Sequence, residues 1–557
     1  MTALLFASGP FAQAFDDACA RLDRMAFVDA IWNRRLSIWP ADATTQASVA
    51  SRLGWLDALD FIEPQRTRLR AFADSVRGAA FTDVVLLGMG GSSLAPEVLR
   101  QVIGVTAGYP RFRMLDSVDP QAVRSTLDAA ASSLFIVASK SGSTIEPNAL
   151  AAEARRRVLA AGLDWGTRAV AITDAGSSLH TRAVAERWRD VFINPSDIGG
   201  RYSALSFFGM VPAALLGADL DALLGRARAM AAACRHTAVA DNPGLALGAF
   251  MAAGEAVGRD KLTLIVPERL ASLGLWVEQL VAESTGKAGR GVVPITGEPA
   301  ALCHGDDRAA VHVHLGASAR SSIEGIPALS VDLPDELSIG AEFFRWEFAT
   351  AAAGALMGVN PFDEPNVTQA KAATRTLLDL HATQKRLPRP QAHAAVSHAR
   401  LTLSSAALNA LAGAPATAFL RVLGRGDYLG ILAYLPPDDA AFEEALTAFR
   451  VAAGSATGRA TMFGYGPRYL HSTGQLHKGG PDNGVFIVIT ADGFEDLGVP
   501  GESYSFGVLE LAQAFGDFSS LEQSGRRALQ IHLPTRNQAN FREISAVLLR
   551  ELSLDTK

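Results

Sequence analysis

Thr82-Asp-Val-Val-Leu-Leu-Gly88, running into Gly90-Gly91-Ser92-Ser93 and then into Leu94 to Gly104 with helical spacing, decides the fold class. An unbroken apolar run of this kind predicts a strand covered on both faces, the habit of parallel sheets. Glycines then turn the chain into a helix. The same grammar returns at Ser133-Leu-Phe-Ile-Val-Ala138, followed by the polar loop Ser139 to Thr144 and a helix over Ile145 to Ala161. Arg168 to Thr173 and Asp190 to Asn194 supply further strands. Strands alternating with helices predict an α/β fold with a doubly wound parallel sheet.

Outward from that unit, residues 1–78 read as a helical lead-in with Trp32, Trp39 and Trp55 at apolar positions, and residues 79–235 as the first α/β domain. Residues 236–400 form a second such domain. It comprises a helix Gly244 to Gly258, a strand Lys261 to Pro267, a helix from Ser272 into Glu283, strands Val311 to Leu315 and Pro327 to Leu333, and a long helix Ile339 to Gly358. Residues 401–557 give a C-terminal α/β domain, with strands at Leu429 to Leu435, Val485 to Thr490 and Arg527 to Leu533.

Composition narrows the function. The chain has 557 residues, 49% hydrophobic and 19% charged, enough apolar material for several cores and unlike a disordered chain. Mean hydropathy is +0.16. No uncharged apolar run reaches the roughly 18 residues that a membrane span needs, and Met1 to Pro10 lacks the basic start of a secretory signal. A soluble, cytoplasmic protein is expected. Cys19, Cys234 and Cys303 show no metal or redox spacing and read as buried thiols. A net charge of −6 with no basic stripe argues against nucleic acid and for a small-molecule partner. Lysine occurs only seven times, and Lys140, Lys287, Lys371 and Lys478 fall in or near turn-rich segments, as if a compact ammonium were wanted there.

Ser139-Lys-Ser-Gly-Ser-Thr144 puts four hydroxyls between a strand and a helix N-terminus, where backbone N–H groups and the helix dipole favour an anion. A helix cap needs one hydroxyl, so the loop reads as a phosphate cradle built from Ser139, Ser141, Ser143 and Thr144. Lys140 either meets the phosphate or flanks the loop. Gly91 and Ser92, at the turn after the preceding strand, face the same carboxyl-end crevice. Neither loop is a nucleotide-binding fingerprint. A phosphorylated small molecule is the expected ligand.

Ser139-Lys-Ser-Gly-Ser-Thr144 resembles the sugar-isomerase (SIS) domain, and Asp197-Ile-Gly-Gly-Arg-Tyr-Ser203 resembles the long signature of the phosphoglucose isomerase family. Glu283-Ser-Thr-Gly-Lys287 is similar to that family's catalytic-base segment. Asn360-Pro-Phe-Asp-Glu-Pro-Asn-Val367 with Lys371 is similar to its C-terminal signature. The lead-in and Gly464-Tyr-Gly-Pro-Arg-Tyr-Leu-His-Ser-Thr-Gly-Gln-Leu-His-Lys-Gly-Gly480 resemble the subgroup fused to transaldolase. Because the chain starts where that isomerase half begins, a stand-alone version is expected.

The resemblance implies two SIS domains plus the C-terminal α/β domain, and an aldose-ketose isomerase of glycolysis and gluconeogenesis acting on glucose 6-phosphate and fructose 6-phosphate. It implies no metal and no cofactor, and it implies a homodimer. Glu283 is then the base, Arg201 steadies the enediolate, and Lys371 works at the ring-oxygen end. The family's ring-opening histidine has no counterpart, since the corresponding stretch is Arg320-Ser-Ser-Ile-Glu-Gly325. His304, His312 and His314 fall between the base segment and the C-terminal signature, but the alternation of Val311-His312-Val313-His314 reads as a strand with solvent-facing imidazoles. His471 or His477, in a loop with Gly474 and Gly479, is expected to take the ring-opening part instead. Two alternatives stay open: a phosphosugar-binding regulator that keeps the cradle without catalysis, and an isomerase of another hexose phosphate.

Overall fold

The computed structural model describes residues 2–6, 8–39, 42–79, 81–316 and 325–553. The arrangement is α/β and falls into two compact units. One takes in residues 1–116, 126–297 and 306–363; the other, residues 117–125, 298–305 and 364–557.

The first unit holds two sheets. One is all parallel, in the order Arg111–Leu115, Asp83–Gly88, Ser133–Ala138, Ala169–Asp174, Asp190–Asn194. Counted along the chain this order is 2-1-3-4-5, so the winding reverses between Asp83–Gly88 and Ser133–Ala138. Every residue of those two strands is buried, as their unbroken apolar runs predict. The second sheet runs Thr2–Phe6, Ala328–Leu333, Arg308–Leu315, Lys261–Ile265, Val293–Ile295. It is parallel except for Thr2–Phe6, an antiparallel edge strand in a stretch that the sequence reading placed within the helical lead-in.

The helix Ile339–Met357 is buried almost all round and packs against Pro243–Ala256. That contact is close because Gly248 carries no Cβ: one placed there would lie 2.7 Å from the Ala349 carbonyl oxygen. Trp39 and Trp55 enter this core, and Trp32 packs against it.

His312 and His314 do not face solvent. They are 0% and 5% exposed, with ring centroids 6.3 Å apart. Their strand lies between two others, and a central strand of a doubly wound sheet is covered on both faces. The stretch Arg320 to Glu324 lies outside the described residues. Cys234 and Cys303 are buried but Cys19 only partly so. Burial pushes the Cys19 thiol up to about 11 and the Cys234 thiol up to about 12, so both stay protonated near neutrality.

The second unit carries a six-stranded sheet, Ala394–Val396, Ala399–Leu403, Arg527–Leu533, Gly484–Ala491, Tyr428–Ala433, Ala460–Tyr465. The last four strands are mutually parallel and wound 2-1-3-4 along the chain. Helices Ala440–Thr457 and Gln538–Ser553 pack together, and Val367–Gln384 packs on Phe506–Gln523. Two short segments from earlier in the chain are built into this unit. Glu298 Oε1 accepts from the Thr461 amide and hydroxyl, each at 3.0 Å. Arg536 binds both Asp119 and Glu510. Among the described residues no helix is long and apolar enough to cross a membrane.

Candidate active site

In doubly wound sheets ligands bind beyond the carboxyl ends of the strands, where the winding reverses. In the first sheet that point lies between the turn Gly90–Ser92 and the loop Ser139 to Thr144, which leave adjacent parallel strands at Gly88 and Ala138. The loop is shaped by its own hydroxyls: Ser139 Oγ accepts from Gly142 N at 3.1 Å, and Ser141 Oγ from Ser143 N at 3.2 Å. Gly142 has φ +70°, and a Cβ there would stand 2.4 Å from the Leu179 amide nitrogen. Thr144 occupies the N-cap position of helix Ile145–Ala160, yet its side chain makes no capping bond. Ser141 and Ser143 are exposed, and Ser139 is buried.

Lys140 flanks this loop. Its ammonium pairs with Asp174 and donates to the Ser196 carbonyl at 2.7 Å, which ties the loop to the next strand end.

The helix Ala271–Thr285 runs back from the carboxyl end of Lys261–Ile265, so Glu283 reaches the amino edge of the second sheet. The same helix packs against the turns Gly90–Ser92 and Gly200–Tyr202, which brings that edge to the first sheet's crevice. Gly91 lets the two turns approach each other: a Cβ on it would lie 2.0 Å from the Gly200 carbonyl oxygen.

Around Glu283 the buried groups form one hydrogen-bonded array. Arg201 Nη1 stands 3.5 Å from Glu283 Oε1, both side chains nearly buried. Arg201 Nε donates to Ser284 Oγ at 2.8 Å, and Nη2 donates to the Pro361 and Asp363 carbonyls, each at 2.9 Å. Gln279 Nε2 donates to Glu283 Oε2 at 3.2 Å. Tyr202 lies beside this array, its hydroxyl 3.4 Å from Ser284 Oγ, and burial drives its phenol further up from the ordinary range. Lys287 donates to the Asn360 carbonyl and pairs with Asp363 at 2.7 Å. The sequence reading missed Gln279, Ser284 and Asp363. Gln279 was findable, because it lies one helical turn before Glu283 on the same face.

The structure thus gathers Glu283, Arg201, Gly91 and Ser92 at one place in the first unit. Lys371, His471 and His477 belong to the second. Lys371 is exposed, a little over one turn into the helix Val367–Gln384. His477 is 1% exposed, its Nε2 3.3 Å from Met462 Sδ and its ring 4.7 Å from that of Phe486. Burial, then Lys478 and Arg526, hold its imidazole well below the usual histidine range. His471 is half-buried.

This geometry coincides with a sequence match: the description of phosphoglucose isomerase fits residues 60–314, which include the cradle, Arg201 and Glu283. Residues 60–314 are similar to the phosphoglucose isomerase family. A glucose-6-phosphate isomerase of Prochlorococcus marinus (strain SARG) is 35% identical over 275 residues, 48% of this chain and 50% of that protein. One from Geobacter sp. (strain M21) is 36% identical over 233 residues, 39% of this chain and 44% of that protein. The chain therefore spans about half the length of the curated relatives it matches. A hypothetical protein from Thermus thermophilus shares the fold at a TM-score of 0.56 and 26% identity, over 68% of this chain and 99% of its own. A glucose-6-phosphate isomerase from Chlamydia trachomatis shares it at 0.55 and 18% identity, over 67% and 87%. Within the matched segment, the buried Glu283–Arg201 pair is the centre of the candidate site.

Proposed function

We propose that this chain interconverts glucose 6-phosphate and fructose 6-phosphate through an enediolate. The observation that carries the reading is the buried Glu283 carboxylate held between Gln279 and Arg201, on a helix that packs against the turn beside the cradle.

Isomerisation takes the proton from C2 of the open-chain aldose, moves charge onto the carbonyl oxygen O1, shifts the hydroxyl proton from O2 to O1, and returns the carbon-bound proton to C1. Nothing is gained or lost overall. Glu283 takes the proton and gives it back, which asks for a carboxylate with fixed aim. Gln279, bound to one oxygen, and Arg201, beside the other, supply that aim. Arg201 also places a fixed cation near the oxygens that become negative. Three anchoring bonds hold the guanidinium, so little reorganisation accompanies the charge. The hydroxyls of Ser139, Ser141, Ser143 and Thr144 take the phosphate, with Gly91 and Ser92 alongside.

Lys371 is assigned the acid/base role at the ring-oxygen end that the resemblance gives it. Of the two histidines offered for ring opening, His471 is the better candidate, because His477 is walled in by Met462 and Phe486. The expected partner is a hexose phosphate, with the chain working as a homodimer in the cytoplasm.

A coupled assay for formation of glucose 6-phosphate from fructose 6-phosphate tests the reading, with mannose and glucosamine 6-phosphates as comparison substrates. Phosphosugar binding without turnover would favour the regulator; faster turnover of another hexose phosphate would move the substrate assignment.

A further inference from the structure

Apart from His471, the Gly464 to Gly480 segment is the motif that the proposed chemistry leaves unused. Its centre is Gln475, 0% exposed, on the short helix Gly474–Gly479. Gln475 makes a reciprocal pair with Asn366: Oε1 accepts from the Asn366 amide at 2.8 Å, and Nε2 donates to Asn366 Oδ1 at 2.8 Å. Asn366 is the N-cap residue of Val367–Gln384, and its side chain makes no capping bond. That side chain is spent on Gln475, so the entry of this helix is fixed from the Gly464 to Gly480 segment. Lys371 sits in the helix's second turn.

The segment itself is anchored. Lys478 pairs with Asp517 at 2.6 Å, both side chains at most 1% exposed. The Tyr469 hydroxyl donates to the other oxygen of Asp517. Arg526 binds the carbonyls of Lys478 at 3.0 Å and Gly480 at 2.7 Å, one on each side of Gly479. A buried ion pair is a poor source of net stability, because desolvation offsets its attraction; what it provides is geometry. Here the geometry provided is that of Gln475.

We infer that Gln475 is a positioning residue for Lys371, acting through Asn366, and that the buried Lys478–Asp517 pair holds it in place. The inference rests on the isomerase reading and on the role given there to Lys371. A helix entry displaced by about 1 Å costs up to roughly a hundredfold in rate when the group it carries must meet a reacting atom.

The test is steady-state kinetics of the full chain on fructose 6-phosphate, with the thermal midpoint measured for each variant. Gln475→Ala is expected to lower kcat about 10- to 100-fold and leave KM within about twofold. Gln475→Glu keeps the acceptor for the Asn366 amide and lets the Asn366 side chain turn over to donate, so it is expected to recover most of kcat. Should Gln475→Ala not fold, Asn366→Ala removes the other half of the pair and is expected to show the same split. An unchanged kcat, a rise in KM at constant kcat, or equal losses in Gln475→Ala and Gln475→Glu overturns the inference. A chain that lacks isomerase activity before substitution sinks the isomerase reading; an active chain indifferent to Gln475→Ala sinks this inference alone.

Discussion

The Glu283 carboxylate stands 3.5 Å from the Arg201 guanidinium while Gln279 donates to its other oxygen at 3.2 Å. Glu283→Gln keeps the shape and an acceptor but removes the proposed base. kcat for fructose 6-phosphate is expected to fall by about 10²- to 10⁴-fold, with KM nearly unchanged. Washout of label from the substrate carbon in deuterated water should fall in parallel. A variant with the full rate removes Glu283 from the mechanism.

Arg201→Lys separates charge from geometry. The ammonium keeps the charge but cannot span Ser284 Oγ, the Pro361 and Asp363 carbonyls, and Glu283 together, since these contacts use the planar fork. The expected result is a loss of about 10²- to 10³-fold in kcat. A rate within a few-fold of the parent chain would mean that charge alone suffices.

Much of this was legible in the sequence, because the signals were local. The buried runs at Asp83 to Gly88 and Ser133 to Ala138 state their own burial, and their glycine and serine turns mark where the proposed ligand would sit. Glu283 and Arg201 were named from motif resemblance, but their contact was not, since it joins residues 82 positions apart through helix packing on Gly91. His312 and His314 were misread for a related reason: alternation with valine looks amphipathic, and only the neighbouring strands say that both faces are covered. Thr2–Phe6 was folded into the helical lead-in because an edge strand has no meaning until its partner, Ala328–Leu333, is known.

Gly91→Ala tests the close approach that brings the turn to the signature loop. Its Cβ would stand 2.0 Å from the Gly200 oxygen and 2.3 Å from the Gly200 carbonyl carbon. Both are backbone atoms, so the turn Gly200–Tyr202, which carries Arg201, must shift. Activity is expected to drop at least about 100-fold, with overpacking costing about 1–3 kcal/mol of stability. Full activity in a stable Gly91→Ala chain would show that the turn has slack.

Thr144→Ala separates capping from phosphate binding. Loss of a working cap costs about 1 kcal/mol, but the Thr144 side chain makes no capping bond. Stability should therefore change little. A hydroxyl that meets a phosphate dianion is worth about 1.5–3 kcal/mol, so KM should rise about 10-fold or more, and inhibition by inorganic phosphate should weaken equally. A lowered melting point with unchanged KM would return this residue to a purely structural part.

Glu510 gives the second unit a pH-dependent stability. Its carboxyl is 1% exposed and shares the Arg536 guanidinium with Asp119. Burial, then the Asp119 carboxylate, push it up to about 8 in spite of Arg536. A carboxyl raised in the folded state binds a proton there that the unfolded chain has already released above its ordinary value of 4.5. The stabilising contribution is complete below that value and fades as the pH climbs to about 8. Glu510→Gln keeps the hydrogen bond and removes the titration. Urea midpoints between about pH 5 and 9 should therefore fall more steeply in the parent than in Glu510→Gln, the variant gaining on the order of a few kcal/mol at the alkaline end. Parallel curves would place this carboxyl among the ordinary surface acids.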